Sequence, residues 1–552
     1  MKLKTKNNLL IYIIPALAAL LVRTILLIHW WDSPVRWYSN ISGLDMQTIL
    51  RLGTLFYEGT CVFSLYNAFL AIILLFNNES HSVETIVIVQ MIIGIIVAPL
   101  TAWCAFKIWG KAHWALLSGL LVALYAPALM YESVVLKESM FLFFALLSLA
   151  AVLKAHKSHF SPVSLFFCGV FLALAVTHRI SALAFCGLAS LWIVACLFKK
   201  LKKDRKAVII HTSFLALGIL TIFIPASMIN IYLTKGDTFS PVPLPYMSYI
   251  SHIADTAKPV SMNTAPKKTQ KSNVIVNMLR KTPAVFSASE TPNNINYYFL
   301  KYKLFPLQYL VGPLLLIPLA VTALILLLFN RGILHKESIL FVFIFSYMLS
   351  IIIFIPLARY RLVLIPVFCM LAPYPLFTAW KAWHNKKLLL ALTPIILWSI
   401  LLYINLPVNE FLRSTDFVSY GKGIQFKTGK STAALPYFQE AYKIAPYKQM
   451  TVINLADTLL KTRRPKEAIR VLLSAFQKSP KNIAYRYYLG IAYFFNGNPG
   501  QTEKIFSKID PNKMGDLKDK YYFFYEQSLR AQKKHEAAAK LRQKALKDSN
   551  AK

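Results

Sequence analysis

Charged residues are scarce in this chain. They make up 15% of 552 residues, against 56% hydrophobic, where soluble domains carry about a quarter charged. A soluble fold of this length could not hide so much apolar surface, because single cores stop growing beyond about 250–300 residues. Cysteine pairing is missing as well. The six cysteines, Cys61, Cys104, Cys168, Cys186, Cys196 and Cys369, form no CxxC, and all but Cys61 lie in apolar runs. That excludes a disulfide framework and a zinc site. No small-residue cleavage site follows the lysine-bearing start Met1–Asn8, and the apolar run goes on to about residue 29, so it reads as an uncleaved first span rather than a signal peptide. Acidic residues are the scarcest charge, 24 against 61 Lys and Arg for a net +37. In so apolar a chain that surplus suits loops held on the cytoplasmic side and contacts with anionic membrane lipids, not nucleic acid.

What is present is a series of apolar runs, each near the roughly 20 residues that cross a bilayer. Eleven spans are expected, near 8–29, 83–106, 114–131, 137–154, 162–178, 180–198, 207–232, 306–329, 338–357, 361–380 and 387–406. Val62–Phe76 is apolar but only fifteen residues long. If it does not cross, the loops with Lys107 and Lys111, Lys154 and Lys157, Lys199 to Lys206, Arg331 and Lys336, and Lys381 to Lys387 all share the side of the N-terminus. One consistently basic side is the cytoplasmic one. Val62–Phe76 then lies along the outer interface, residues 30–82 and 233–305 are outer loops, and everything after 407 is outside.

From 408 to 552 the composition is that of a soluble helical domain, with 27 Lys and Arg against 12 Asp and Glu. A 34-residue period is visible: Ala434, Phe438, Ala441 and Pro446 recur as Ala468, Leu472, Ala475 and Pro480. Leu455, Ala456 and Leu459 recur as Leu489, Gly490 and Tyr493, with Phe506 and Pro511 closing that unit slightly early and a fainter fourth unit at Tyr521 to Leu546. Small residues for close helix pairing and a turn proline mark tetratricopeptide-type repeats, which bind a partner protein and do no chemistry. The expected fold is all-α: a polytopic membrane helical bundle over 1–407, then an α-solenoid over 408–552.

Ionisable groups in or beside spans are costly and mark candidate sites. On the outer side these are Asp45, Glu132, Glu138, Arg179 beside His178, and Arg359 and Arg361 around Tyr360; Arg23 lies within the first span. Arginines can snorkel to headgroups and carboxylates can merely be solvated in loops. Gathered on one face, carboxylates and arginines suit a phosphate-linked substrate, with a base for a hydroxyl and cations for a departing phosphate.

At these residues the chain resembles the C-type membrane glycosyltransferases, the protein O-mannosyltransferase and aminoarabinose-transferase group, in its bacterial branch with tetratricopeptide repeats. The resemblance runs through Arg23, Gly43-Leu44-Asp45, Ser64-Leu65-Tyr66, Tyr131-Glu132, Leu136-Lys137-Glu138, Thr177-His178-Arg179 and Arg359-Tyr360-Arg361 to Pro366. The family more often has proline at the place of Ser64, proline after the arginine of the Thr177 turn, and an acidic pair at Asp45. The resemblance implies inverting transfer of a sugar from a polyprenyl-phosphate donor to a hydroxyl of a protein or glycan, on the outer face of a bacterial cytoplasmic membrane. It implies Asp45 as general base, Glu132 or Glu138 orienting acceptor or sugar, and Arg359, Arg361 and Arg179 at the donor phosphate. No nucleotide-sugar motif or metal cluster is evident, so no cofactor is expected. Two other readings stay open. One is an O-oligosaccharyltransferase or O-antigen-ligase-like enzyme, whose chemistry would sit in loop 233–305, where His252, Asp255 and Arg280 form no distinctive pattern; the other is an inactive membrane scaffold that recruits envelope proteins.

Overall fold

The structure is a computed structural model that describes residues 9–59, 61–77, 81–201, 204–233, 235, 240–241, 274–330, 337–353, 357–405 and 412–550. The chain divides into two compact units, Met1–Phe411 and Leu412–Lys552. Every regular element among the described residues is helical. The molecule is all-α, a membrane-type helical bundle followed by a solenoid of paired helices.

The first unit opens with α1 (Leu10–Trp31), α2 (Asp45–Tyr57), α3 (Leu65–Phe76) and α4 (Ser82–Trp109), then α5 (Ala112–Ala123), α6 (Ala126–Glu132), α7 (Glu138–Lys157), α8 (Pro162–His178), α9 (Leu183–Lys200) and α10 (Arg205–Leu233). It continues with α11 (Val274–Val285), α12 (Tyr297–Leu300), α13 (Pro313–Asn330), α14 (Ser338–Ile353), α15 (Ala358–Arg361), α16 (Ile365–Leu371), α17 (Pro373–His384) and α18 (Leu388–Asn405). Six stretches are long and apolar enough to cross a membrane: Leu10–Trp31, Ser82–Trp109, Glu138–Lys157, Ile180–Lys200, Arg205–Leu233 and Ala358–His384. Shorter apolar helices accompany them, among them α3 and α8. At 1.5 Å per residue α3 is about 18 Å long, well short of a hydrocarbon core of about 30 Å.

One expected span is broken. The run 114–131 divides into α5 and α6, with the chain extended at Tyr125, which pairs with Val311. Ala126 N donates to Val311 O at 2.9 Å, and Val311 N to Leu124 O at 3.0 Å. The cause is Pro127, which has no N–H for the carbonyl four residues back and cannot continue a helix through that point. The carbonyl so released, Ala123 O, accepts instead from Arg23 Nη1 at 3.3 Å.

Helices α8 and α10 cross in backbone contact. A Cβ at Gly169 would stand 2.2 Å from Leu215 O, and one at Gly218 2.0 Å from Phe166 O. Small residues that let two backbones meet are the usual means of helix association in lipid.

The second unit is four antiparallel helix pairs: α19 (Ser414–Thr428) with α20 (Ser431–Ile444), α21 (Gln449–Lys461) with α22 (Pro465–Lys478), α23 (Ile483–Phe495) with α24 (Pro499–Phe506), and α25 (Lys518–Ala531) with α26 (His535–Asn550). Each pair turns on a residue of positive φ: Gly429 at 65°, Arg463 at 59°, Gly497 at 75° and Lys533 at 61°. The period is thus carried in backbone conformation as well as in side chains. Its core holds the recurring positions Ala434, Phe438 and Ala441, then Leu455, Ala456, Ala468, Leu472 and Ala475, all buried.

Candidate active site

Asp45 is the first residue of α2, where a carboxylate faces the positive end of a helix. Gly43, at φ 89°, supplies the turn before it, a conformation that costs glycine little. Glu138 is the first residue of α7. Arg179 ends α8 in an extended conformation, and Arg359 sits in the single turn α15. Four elements remote in sequence thus deliver four charges to one place.

Arg359 is the hub. Its Nη1 meets Asp45 Oδ2 at 2.5 Å, its Nε approaches Glu138 Oε1 at 3.8 Å, and Nη2 donates to the Tyr360 hydroxyl at 2.8 Å. With the Asn293 amide turned so that its oxygen faces the guanidinium, that oxygen accepts from Nε at 3.2 Å and from Nη2 at 3.0 Å. Arg179 Nη1 reaches the same Glu138 Oε1 at 3.4 Å. Both guanidinium carbons lie over the Tyr360 ring, Arg179 at 4.4 Å and Arg359 at 4.8 Å from its centre, a cation–π arrangement that fixes their planes. The second oxygen of Glu138 is buried with no hydrogen-bond partner. Asp45 stays accessible, its side chain 42% exposed against 14% for Arg359 and 5% for Glu138. Lys137 is a third cation within electrostatic range of Glu138, Arg179 and Arg359. Three cations thus face two carboxylates, and the remaining positive charge is what a phosphate would meet.

Glu132 and Arg361 are not in that cluster. Both oxygens of Glu132 are held by Arg23, Nε to Oε2 at 2.7 Å and Nη2 to Oε1 at 2.7 Å, with both side chains buried. Gly94 on α4 leaves the room: a Cβ there would lie 2.4 Å from Glu132 Oε1 and 2.5 Å from Arg23 Nε. Gln90 ties the following backbone to α4, donating to Glu132 O at 3.0 Å and Val134 O at 2.8 Å, while it accepts from the Tyr66 hydroxyl at 3.1 Å. Arg361 is buried against Glu290 Oε1 at 2.9 Å and donates to the carbonyls of Ser289 at 3.0 Å, Ala284 at 3.3 Å and Ser287. Glu290 Oε1 also takes the Tyr125 hydroxyl at 3.1 Å. These two ion pairs are buried, and the first cluster is the open part.

Lys137, Tyr360, Asn293 and Glu290 were not singled out from sequence for roles of their own. Only Lys137 and Tyr360 carried a signal, as neighbours of Glu138 and of the two arginines. His178, placed in the resemblance, is buried with neither ring nitrogen hydrogen-bonded, among Tyr66, Phe141 and Phe144 at centroid distances of 5.8 Å. Ser64 caps α3 by accepting from Asn67 N at 3.1 Å. In the loop of the alternative reading, His252 and Asp255 lie outside the described residues, and Arg280 is exposed. Among the described residues no group of three or more His, Cys, Asp or Glu stands together to hold a metal ion.

A family model described as dolichyl-phosphate-mannose-protein mannosyltransferase matches residues 67–233. The matched stretch, under a third of the chain, carries Glu132, Glu138 and Arg179. No curated protein matches. Among solved structures, a MamA RS-1 ArsTM double mutant and MamA 41-end from Desulfovibrio magneticus RS-1 are each 18% identical with a TM-score of 0.23. They cover 32% and 33% of this chain and 94% and 96% of their own, a likeness too distant to inform fold or function. With its apolar helices, the family match supports an integral membrane glycosyltransferase that draws on a lipid-linked sugar.

Proposed function

We propose that the chain transfers a sugar from a polyprenyl-phosphate donor to a hydroxyl of a protein or glycan, with inversion, where Asp45, Glu138, Arg179 and Arg359 meet. The observation that carries this reading is the open carboxylate of Asp45 beside a pair of guanidiniums aligned on Tyr360. The acceptor oxygen attacks the anomeric carbon from the face opposite the phosphate. Its proton passes to Asp45, the bond from anomeric carbon to phosphate oxygen breaks, and polyprenyl phosphate leaves. Arg359 and Arg179 receive the charge that develops on the leaving oxygen. Glu138 holds the two arginines and takes no proton. In this reading the site faces the outer side of a bacterial cytoplasmic membrane, the N-terminus is cytoplasmic, and the repeats hold a protein partner on the outer face.

The test is turnover with a polyprenyl-phosphate sugar. A positioned base contributes about 10²–10⁴-fold, so Asp45→Asn is expected to lower the rate by that much while the purified protein keeps its melting temperature and still binds the donor. Arg359→Ala is expected to weaken donor binding and rate together. Arg359→Lys restores them only in part, because a point charge cannot reproduce a planar fork. Normal transfer by Asp45→Asn would overturn the assignment of the base.

A further inference from the structure

Toward the ends of α7 and α8 opposite Glu138 and His178, a groove of about 810 Å³ runs between α4, α7 and α8. Its walls are apolar, formed by Leu100, Trp103, Ala151, Phe167 and Phe171; its mouth is polar, with Lys154, Ser158, Ser161 and Ser164. Ala150 and Ala151 give it depth. Val163 and Phe167 on its rim are exposed, so the groove opens sideways, where lipid chains would lie. Beside the mouth Lys107 and Lys157 lie within electrostatic range of each other, and Lys107 Nζ lies 5.2 Å from the Trp103 ring centre. Lys107, Lys154 and Lys157 form no ion pair with a carboxylate among the described residues.

We propose that this groove binds an anionic two-chain phospholipid, its phosphate among Lys107, Lys154 and Lys157 and an acyl chain against Trp103 and Phe167. Ammonium groups held near one another at the edge of an apolar cavity repel, and an anion standing among them relieves that repulsion. The Ser158 and Ser164 hydroxyls, 2.7 Å apart, can turn to donate to phosphate oxygens. From Ser161 to Phe171 the groove follows α8 for about 15 Å at 1.5 Å per residue, half of a hydrocarbon core of about 30 Å. That is the depth of one leaflet, so the occupant is a lipid of the leaflet beside the basic loops. A polyprenyl chain is longer than one leaflet, and free phosphate would leave the apolar walls uncovered. Basic pockets between membrane helices take anionic headgroups in this manner. The inference stands apart from the transferase reading, because it involves neither Asp45 nor the arginines.

The test places the full-length protein in phosphatidylcholine nanodiscs with a minor fraction of phosphatidylglycerol and measures the lipids retained by mass spectrometry. The wild type is expected to enrich phosphatidylglycerol over its bulk share. One lysine near an anionic headgroup is worth roughly a fivefold change in affinity. Lys107→Gln/Lys154→Gln/Lys157→Gln is therefore expected to cut the enrichment by more than an order of magnitude. Lys154→Glu, an exposed position outside the packed core, is expected to do so by fivefold or more even if the triple variant folds poorly. Val163→Trp, which narrows the rim with all lysines intact, is expected to lower retention of the lipid without changing the binding of inorganic phosphate. Equal retention of the two phospholipids, no effect of Lys154→Glu, or displacement of phosphatidylglycerol by an equal amount of polyprenyl phosphate would each overturn the proposal.

Discussion

Asp45 and Glu132 are both carboxylates beside arginines, yet their surroundings give them different work. Glu132 has spent both oxygens on Arg23 inside the bundle, while Asp45 offers one to Arg359 and stays open to solvent. Removing one member of a buried ion pair leaves the other charged and unpaired, at a cost of about 3–5 kcal/mol. Arg23→Ala and Glu132→Gln are therefore expected to lower the melting temperature of the detergent-solubilised protein sharply, with activity lost in proportion to unfolding. Arg361→Ala is expected to act likewise, since it strands Glu290 and three carbonyls; an unchanged melting temperature with lost donor binding would place Arg361 at the phosphate instead. Polar residues standing where lipid is costly made Arg23, Glu132 and Arg361 visible in the sequence. Their partners were not, because Arg23 meets a residue 109 positions away and Glu290 lies in a loop whose composition resembles ordinary solvated chain.

Among the elements, the repeats were the most legible, since a fixed period repeats its evidence. The structure adds a compensation between them. Ala456 and Leu472 share one core cluster, and one period later Gly490 faces Phe506, whose ring would lie 2.1 Å from a Cβ at that glycine. Gly490→Ala is expected to destabilise the repeat domain by about 1–3 kcal/mol, the usual cost of overpacking, and Phe506→Leu is expected to recover much of it in chemical unfolding. Failure of that rescue would show that the two positions are not coupled. In the membrane unit, Gly169→Leu is expected to force α8 from α10, read as a fall in melting temperature. The division of 114–131 into two helices escaped hydropathy, because the run is apolar throughout and only Pro127 marks the break.

At the scale of the molecule, the composition changes near residue 408, and contacts divide the chain at Leu412. Residues 408–552 are expected to fold alone; helix content by circular dichroism below about a third, the globular average, would refute this. The end of that fragment has a pH signature. Asp548 accepts a hydrogen bond from Tyr522 at 2.6 Å and pairs with Lys518 at 3.0 Å, and the Tyr522 bond first, then Lys518, hold its carboxyl below the usual range. A carboxyl depressed in the folded state stabilises it above the unfolded value, near 3.9, and that stability fades as pH falls through the folded one. The fragment's melting temperature is thus expected to drop below about pH 4, and less so in Asp548→Asn. Topology rests on the basic loops and on the short α3. A reporter fused after residue 407 is expected to be active on the outer face, and cytoplasmic activity there would reverse the assignment of sides.

The bond between Arg359 and Asp45 has a consequence for the order of events. Arg359 holds one oxygen of Asp45, and the natural rival for that guanidinium is the donor's phosphate. Until the donor arrives that oxygen is occupied, and a water or hydroxyl that enters first does not find it free. On the proposed reaction the kinetics are then compulsory in sequence, donor before acceptor. An acceptor analogue that lacks its hydroxyl is expected to inhibit uncompetitively against the donor; a noncompetitive pattern would mean that either substrate can enter first and that Arg359 releases Asp45 unaided.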